Sequence, residues 1–251
     1  VSASARLTLN PNEKIISGDV TYNFAVLKSI DTIKIDAQNM TFSDLKINGN
    51  EIEYINTAKQ LHLIYPFKKG KNILTFKYSA KPKQTLYFVD SYDRTKPGAA
   101  EKQIWTQGQG RYTSHWFPSF DDVNEKVIFS LGISYDANYQ VISNGVLKRK
   151  VKNNDMLFWE YQMQKPMSSY LLMFAIGKFE KQIQKSNSGI PLEMYLEKKD
   201  AGNFEPTYRY SVQMFDFLEK EIGVKYPWKI YKQAPVRDFL YAGMENTTAT
   251  L

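Results

Sequence analysis

A mainly β chain, antiparallel in its sheets and closing on a helix-bearing segment, is predicted by three observations. Apolar residues alternate with polar ones in short runs from Val20 to Tyr161. Turn residues punctuate those runs, and beyond Ser186-Asn187-Ser188-Gly189 the apolar period lengthens from two to between three and four.

The first run sets Val20, Tyr22, Phe24 and Val26 against Thr21, Asn23 and Ala25, the period of a half-buried strand. Ile33 and Ile35 alternate with Lys34 and Asp36, and Leu45 and Ile47 lead through Asn48-Gly49-Asn50 to Ile52, the signature of a tight hairpin. Leu61, Leu63 and Tyr65 form the next strand, and past Lys68-Lys69-Gly70-Lys71-Asn72 come Leu74, Phe76 and Tyr78. The longest alternation puts Val127, Phe129, Leu131, Ile133 and Tyr135 on one face, the pattern of a central strand. Tyr139 to Ile142, the Asn144-Gly145 turn, and Leu157, Trp159 and Tyr161 extend the sheet. Leu171 to Gly177 is apolar enough to be buried on both faces.

Ser186-Asn187-Ser188-Gly189 with Ile190-Pro191 reads as a linker, which divides the chain into residues 1–184 and 185–251. Beyond it Tyr208, Val212, Phe215, Leu218 and Ile222 recur at steps of four, three, three and four. These residues predict an amphipathic helix with Pro206 in its first turn and Gly223 at its end.

Composition narrows the function classes. Hydrophobic residues make up 43% and aromatics 14%, with 17 Tyr and 15 Phe, which suits packed strands rather than disorder. The net charge is +7, but the basic residues are interleaved with acidic ones, so no nucleic-acid face is indicated. With no cysteine there is neither a disulfide framework nor a thiolate metal site. No apolar run reaches the roughly 20 residues of a membrane span. The strand-like pattern starts at once from Val1 and the chain stops at Leu251 without a terminal turn, so a fragment of a longer protein is expected.

Two histidines, His62 and His115, are the only ones, and neither has a second histidine four residues away, the spacing that binds zinc from one helix face. His62 is expected on the far face of its strand and His115 hydrogen-bonded in an aromatic loop. Trp116, Phe117 and Phe120 read as packing. Asp121-Asp122 and Glu219-Lys220-Glu221 read as solvated turn and helix charges.

The chemistry centres on Tyr241-Ala242-Gly243-Met244-Glu245-Asn246. A peptide N-terminus has a pKa of about 7.7 to 8, so it is mostly an ammonium at neutral pH and takes a carboxylate partner once it leaves water. Glu245 offers that carboxylate. Facing a blocked terminus, a buried and unpaired glutamate costs roughly 3 to 5 kcal/mol, which rejects such substrates. Exposed strand groups beside it would pair with a substrate backbone as an added strand. Taken alone, the hexapeptide is also compatible with a Gly turn followed by a capping Glu-Asn pair.

Ala242-Gly243-Met244-Glu245-Asn246 resembles the G-x-M-E-N exopeptidase motif of the M1 family of zinc aminopeptidases, of the aminopeptidase N and leukotriene A4 hydrolase type. Trp105-Thr106-Gln107-Gly108-Gln109-Gly110, with Pro118, Asp121 and Lys126 following in order, resembles that family's substrate-binding segment. Tyr226-Pro227-Trp228-Lys229-Ile230-Tyr231, running on to Asp238-Phe239, resembles its approach to the exopeptidase strand. Together with a strand-rich region of the right extent before the helix, the resemblance covers essentially the whole chain.

The resemblance implies a saddle-like β-sandwich over residues 1–184 and the α+β start of a thermolysin-like catalytic domain over residues 185–251. It also implies peptide substrates with a free N-terminus. Glu245 would be the amine anchor, Gln109 a second amine contact with Gln107 as its neighbour, and Gly243 and Met244, next to Ala242, the lining of the first side-chain pocket. Zinc would be the cofactor of a full-length parent. The H-E-x-x-H motif that holds zinc in this family is absent from the 251 residues, so this portion is expected to bind none and to be inactive alone, its partner being the remaining catalytic domain of the same chain. A non-catalytic β-sandwich interaction module, or a relative without zinc, is the alternative; Gln109 also allows an epoxide-hydrolysing relative.

Overall fold

The computed structural model describes residues 1–89 and 102–251. In chain order the strands are β1 (Ser2–Asn10), β2 (Ile15–Val26), β3 (Ile30–Asp36), β4 (Met40–Ile47), β5 (Asn50–Glu51), β6 (Glu53–Asn56), β7 (Gln60–Phe67), β8 (Gly70–Ala80), β9 (Leu86–Val89) and β10 (Gln103–Thr106). There follow β11 (Lys126–Asp136), β12 (Gln140–Ser143), β13 (Val146–Asn153), β14 (Met156–Gln162), β15 (Met167–Ser168), β16 (Phe174–Gly177), β17 (Phe179–Lys185) and β18 (Pro191–Glu197). The helices α1 (Phe204–Tyr208) and α2 (Ser211–Ile222) then precede β19 (Tyr231–Gln233) and β20 (Ala249–Thr250).

The largest sheet runs β13-β14-β11-β1-β2-β8-β4-β5, with β15 added beside β11. The expected central strand is central: β11 pairs antiparallel with β14 and β15 and parallel with β1. Its inward residues Val127, Phe129, Leu131 and Ile133 are at most 2% exposed, as the alternation requires. The Asn48-Gly49 turn between β4 and β5 has both residues at positive φ, 52° and 87°, the twist that matches a two-residue hairpin.

Three further sheets stack on this one. β3-β7-β6 and β12-β16-β10-β9 face the large sheet, and β17-β18-β19-β20 lies beyond. Successive strand residues point to opposite faces, and the middle sheet uses both. Ile104, Val141, Phe174 and Ile176 join the large core with Trp116 and Phe117. Their neighbours Trp105, Ile142 and Ala175 pack against Tyr195 and Ala249 of the outer sheet and against Ala234 and Leu251, which directly follow its strands β19 and β20. The far side of the outer sheet holds Leu192, Met194 and Leu196 against Phe204 and Tyr208 of α1, with Val212 and Phe215 of α2 half-buried there. The segment from Leu171 to Gly177, read as doubly buried, supplies this middle layer.

Three details differ from expectation. Ser186–Gly189 is the turn of a hairpin rather than a linker: β17 and β18 pair antiparallel from Phe179↔Glu197 to Lys185↔Pro191. Polar residues with a Gly mark a tight turn as readily as a linker. The helical pattern is broken into two helices, and only part of its apolar stripe is covered. Leu218 and Ile222 stay 53% and 67% exposed, beside exposed Met214 and Phe217. Gly223 ends α2 at φ 71°, as expected. Asp121 is not a solvated turn charge: it is 5% exposed and accepts hydrogen bonds from the Ser114 N–H (2.9 Å), the Ser119 hydroxyl (2.6 Å) and the Ser169 hydroxyl (2.9 Å). A carboxylate given three donors tolerates burial. No helix among the described residues is long and apolar enough to cross a membrane.

Candidate amine-binding site

β10 delivers Gln107 and Gln109 to the site. Its last residues are fully buried between two layers, and the Gln107 N–H continues the pairing by donating to the Thr85 carbonyl at 2.8 Å. Gly108 then passes so close to the chain at Thr113 and Tyr170 that an added Cβ would lie 2.6 Å from Thr113 Oγ1 and 2.9 Å from the Tyr170 carbonyl. Only glycine fits that crossing, and it sends Gln107 inward and Gln109 outward. Gln107 is 5% exposed and Gln109 is exposed. The two are joined by a pair of contacts: the Gln109 N–H donates to Gln107 Oε1 at 3.1 Å, and Gln107 Nε2 donates to Gln109 Oε1 at 3.3 Å.

The motif segment arrives from the far side of the chain. Trp105 packs against the tilted rings of Tyr87 and Phe239, with ring centroids 4.4 and 5.1 Å away, and its indole N–H donates to the Arg237 carbonyl at 3.0 Å. Arg237 returns its own N–H to Gln103 Oε1 at 2.8 Å and pairs its guanidinium with Glu197 at 2.7 Å. These contacts dock the approach to the motif on β10. Tyr241, Ala242, Gly243 and Glu245 are exposed, whereas Met244 and Asn246 are 1% and 2% exposed.

Met244 is the residue that meets the glutamines, with its Sδ 3.7 Å from Gln107 Nε2. Its backbone pairs both ways with Leu251, N–H to O at 2.8 and 3.2 Å, and the Ala249 N–H donates to the Asn246 carbonyl at 3.0 Å. Residues 244–251 thus form a tight hairpin with Thr247 and Thr248 at its tip. Thr248 stands at φ 68°, at a turn position that ordinarily calls for glycine.

Gln107, Gln109 and Met244 are therefore brought into contact. Ala242 and Gly243, next to Met244 in the chain, are exposed, and so is Glu245, whose carboxylate has no hydrogen bond or ion pair among the described residues. An exposed carboxylate next in sequence to a methionine that packs on a buried glutamine offers a cation an open partner.

Composition and motif reading missed two residues that support this segment. Asn144, at the turn between β12 and β13, is 3% exposed and bonds to Thr247. Lys232 of β19 is 1% exposed. Its ammonium donates to the Ser143 carbonyl at 2.7 Å and to the Gly145 carbonyl, and lies 4.9 Å from the centre of the Tyr161 ring. Burial pushes the Lys232 amine down to about 7, opposed by Glu193 and helped by Lys181. A lysine among lysines in a basic chain gives no sequence signal of such burial.

The described residues do not fit a zinc ion. His62 lies beside Gln60, 3.3 Å away, and His115 beside Gln84, also 3.3 Å away. No group of three or more His, Cys, Asp or Glu among the described residues is arranged to hold a metal. His115 is half-covered under Tyr112, and burial lowers its pKa from the ordinary value.

Comparison with known proteins places this architecture. The family model described as the Peptidase M1 N-terminal domain matches residues 2–171. The chain belongs to the M1 peptidase family. It is similar to aminopeptidase N of Lactobacillus helveticus, 23% identical over 243 residues covering 96% of this chain and 28% of that protein. It is also similar to leucyl aminopeptidase of Saccharolobus solfataricus, 27% identical over 222 residues covering 86% of this chain and 27% of that protein. Human glutamyl aminopeptidase is 24% identical over 195 residues, 77% of this chain and 20% of its own. The chain thus spans between about a fifth and just over a quarter of these relatives' length.

Proposed function

We propose that these residues are the N-terminal portion of a zinc-dependent aminopeptidase that releases N-terminal residues from peptides, and that this portion supplies the site for the substrate's free amine. Residues 1–184 would be the saddle-like β domain and residues 185–251 the opening of a thermolysin-like catalytic domain. In this reading Glu245 pairs with the ammonium, Gln109 adds a neutral hydrogen bond with Gln107 holding it in place, and Met244, with Gly243 and Ala242, lines the pocket for the first side chain. The observation that carries the reading is the contact between Gln107 and Met244, residues 137 apart in sequence. It joins the two stretches that resemble the family, with the exposed Glu245 next in the chain to Met244.

The exposed apolar stripe of α2 supports the companion inference that more of the same protein packs here. Met214, Leu218, Ile222 and Val224 line one groove of about 470 Å³ with Tyr226 and Tyr231. Leaving such a surface in water is unfavourable at roughly 25 cal/mol per Å². The zinc ligands and the metal-activated water belong to that remaining catalytic domain, and the 251 residues alone are inactive.

Glu245→Gln in the complete enzyme tests the assignment. It keeps the shape and removes the charge. With the amine site closed from water, kcat/KM for a free-amine peptide should fall by about 30- to 150-fold, the equivalent of roughly 2 to 3 kcal/mol. The N-acetylated form of the same peptide should lose far less, since an uncharged residue no longer penalises a blocked terminus. An equal fall for both substrates would show that Glu245 is not the amine anchor.

A further inference from the structure

The motif hairpin does not hold itself. Thr248 is β-branched and sits in the left-handed region, where such a residue is strained. Without that turn, Leu251 would not come back onto Met244. What opposes the strain comes from a turn about a hundred residues earlier in the chain, Ser143-Asn144-Gly145.

All three polar valences used by the Asn144 amide are directed. Its Nδ2 donates to the Thr247 carbonyl at 2.7 Å and to the Leu171 carbonyl at 2.9 Å, and its Oδ1 accepts the Met173 N–H at 2.7 Å. The next residue contributes a second tie, since the Gly145 N–H donates to Thr248 Oγ1 at 2.7 Å. Asn246 reaches the same Leu171 carbonyl from the other side at 3.2 Å. The turn is fixed in its turn by the buried Lys232 ammonium on the Ser143 and Gly145 carbonyls. The backbone of Lys232 meanwhile holds the hairpin's outer edge, donating its N–H to the Thr248 carbonyl at 2.9 Å.

We propose that Asn144 is a positioning residue for the amine-binding segment. By gripping the Thr247 and Leu171 carbonyls it holds the strained Thr247-Thr248 turn, and through it the Met244–Leu251 pair that aims Glu245. The inference rests on the reading of Glu245 as the amine anchor, but its first test does not.

In the 251-residue chain, hydrogen exchange reads the hairpin directly. Asn144→Ala should speed exchange of the Met244, Ala249 and Leu251 amides at least tenfold, while amides in the β1–β11 pairing keep wild-type rates. A glutamate-specific protease should cut after Glu245 faster by a similar factor. If Asn144→Ala fails to fold, Asn144→Asp keeps the acceptor for Met173 and loses both donors, and the same acceleration is expected. Wild-type exchange at Met244 and Leu251 in a folded variant overturns the proposal.

In the complete enzyme, Asn144→Ala should raise KM for a free-amine peptide about tenfold with kcat changed less than twofold, and lower the preference for free over acetylated peptide by a similar factor. A merely structural loss moves neither ratio. If Glu245→Gln abolishes the preference and Asn144→Ala leaves it intact, the positioning role fails and the anchor stands. If Glu245→Gln leaves the preference intact, the anchor reading fails whatever the exchange data show.

Discussion

Replacing Lys232 with Met should remove from the stability of this protein a pH dependence that belongs to one buried amine. In the folded chain the Lys232 amine is pushed down to about 7, against 10.5 for an ordinary lysine, by burial in a site that offers two carbonyls and a ring face, the charge of Glu193 only partly opposing the shift. Below pH 7 the amine is protonated in both states. Between pH 7 and 10.5 the unfolded chain binds more protons than the folded one, so unfolding becomes harder as pH rises. Those two values correspond to a gain of about 2 kcal/mol from pH 7 to pH 9. Lys232→Met removes that gain and leaves the Ser143 and Gly145 carbonyls short of a donor, at about 1 to 3 kcal/mol each. The variant should therefore be less stable at both pH values, and the gap should widen by about 2 kcal/mol on going from pH 7 to pH 9. Urea unfolding followed by tryptophan fluorescence at several pH values measures it, with an unchanged m-value as the check on two-state behaviour. A gap that stays constant across this range would refute the buried-amine account.

Two glycines at positive φ separate backbone strain from steric exclusion. A Cβ on Gly145 would lie 2.2 Å from the Gln162 carbonyl oxygen, whereas one on Gly49 meets nothing within 4 Å. Gly145→Ala should cost about 3 kcal/mol or more and loosen the motif hairpin, and Gly49→Ala only about 1 to 2 kcal/mol; equal melting temperatures for the two would contradict this. Cutting the chain in the Ser186–Gly189 turn should leave residues 1–185 with a cooperative thermal transition, because the large sheet and its core are formed before β17. The released piece, with a few strands and two short helices, should not unfold cooperatively by calorimetry.

Much of the fold was legible because period-two alternation is a local property. Val127 to Tyr135 declared a central strand, Asn48-Gly49 declared a hairpin, and Gly223 declared a helix end, since each depends only on a few neighbouring residues. The same locality misled at Ser186–Gly189, where a polar Gly-containing cluster served as a turn inside one sheet. At Asp121, three donors from separate segments buried a carboxylate that looked solvated. The amphipathic stripe of α2 correctly named Val212 and Phe215 as inward-facing, but no pattern within a helix states how much partner surface is present to cover Leu218 and Ile222.

The candidate site divides along the same line. The residue chemistry by itself marked Glu245, a carboxylate suited to an ammonium ligand, while Gln107, Gln109 and Ala242 to Met244 were singled out by the resemblance of their stretches to the M1 family. Only the tertiary structure decided that Met244 lies on Gln107 and that Gln109 and Glu245 face outward. It likewise revealed Asn144 and Lys232 beneath the motif. Their hydrogen bonds span roughly a hundred residues of chain, and side-chain type constrains what a residue is able to bond, not which distant backbone the fold will bring within reach of it.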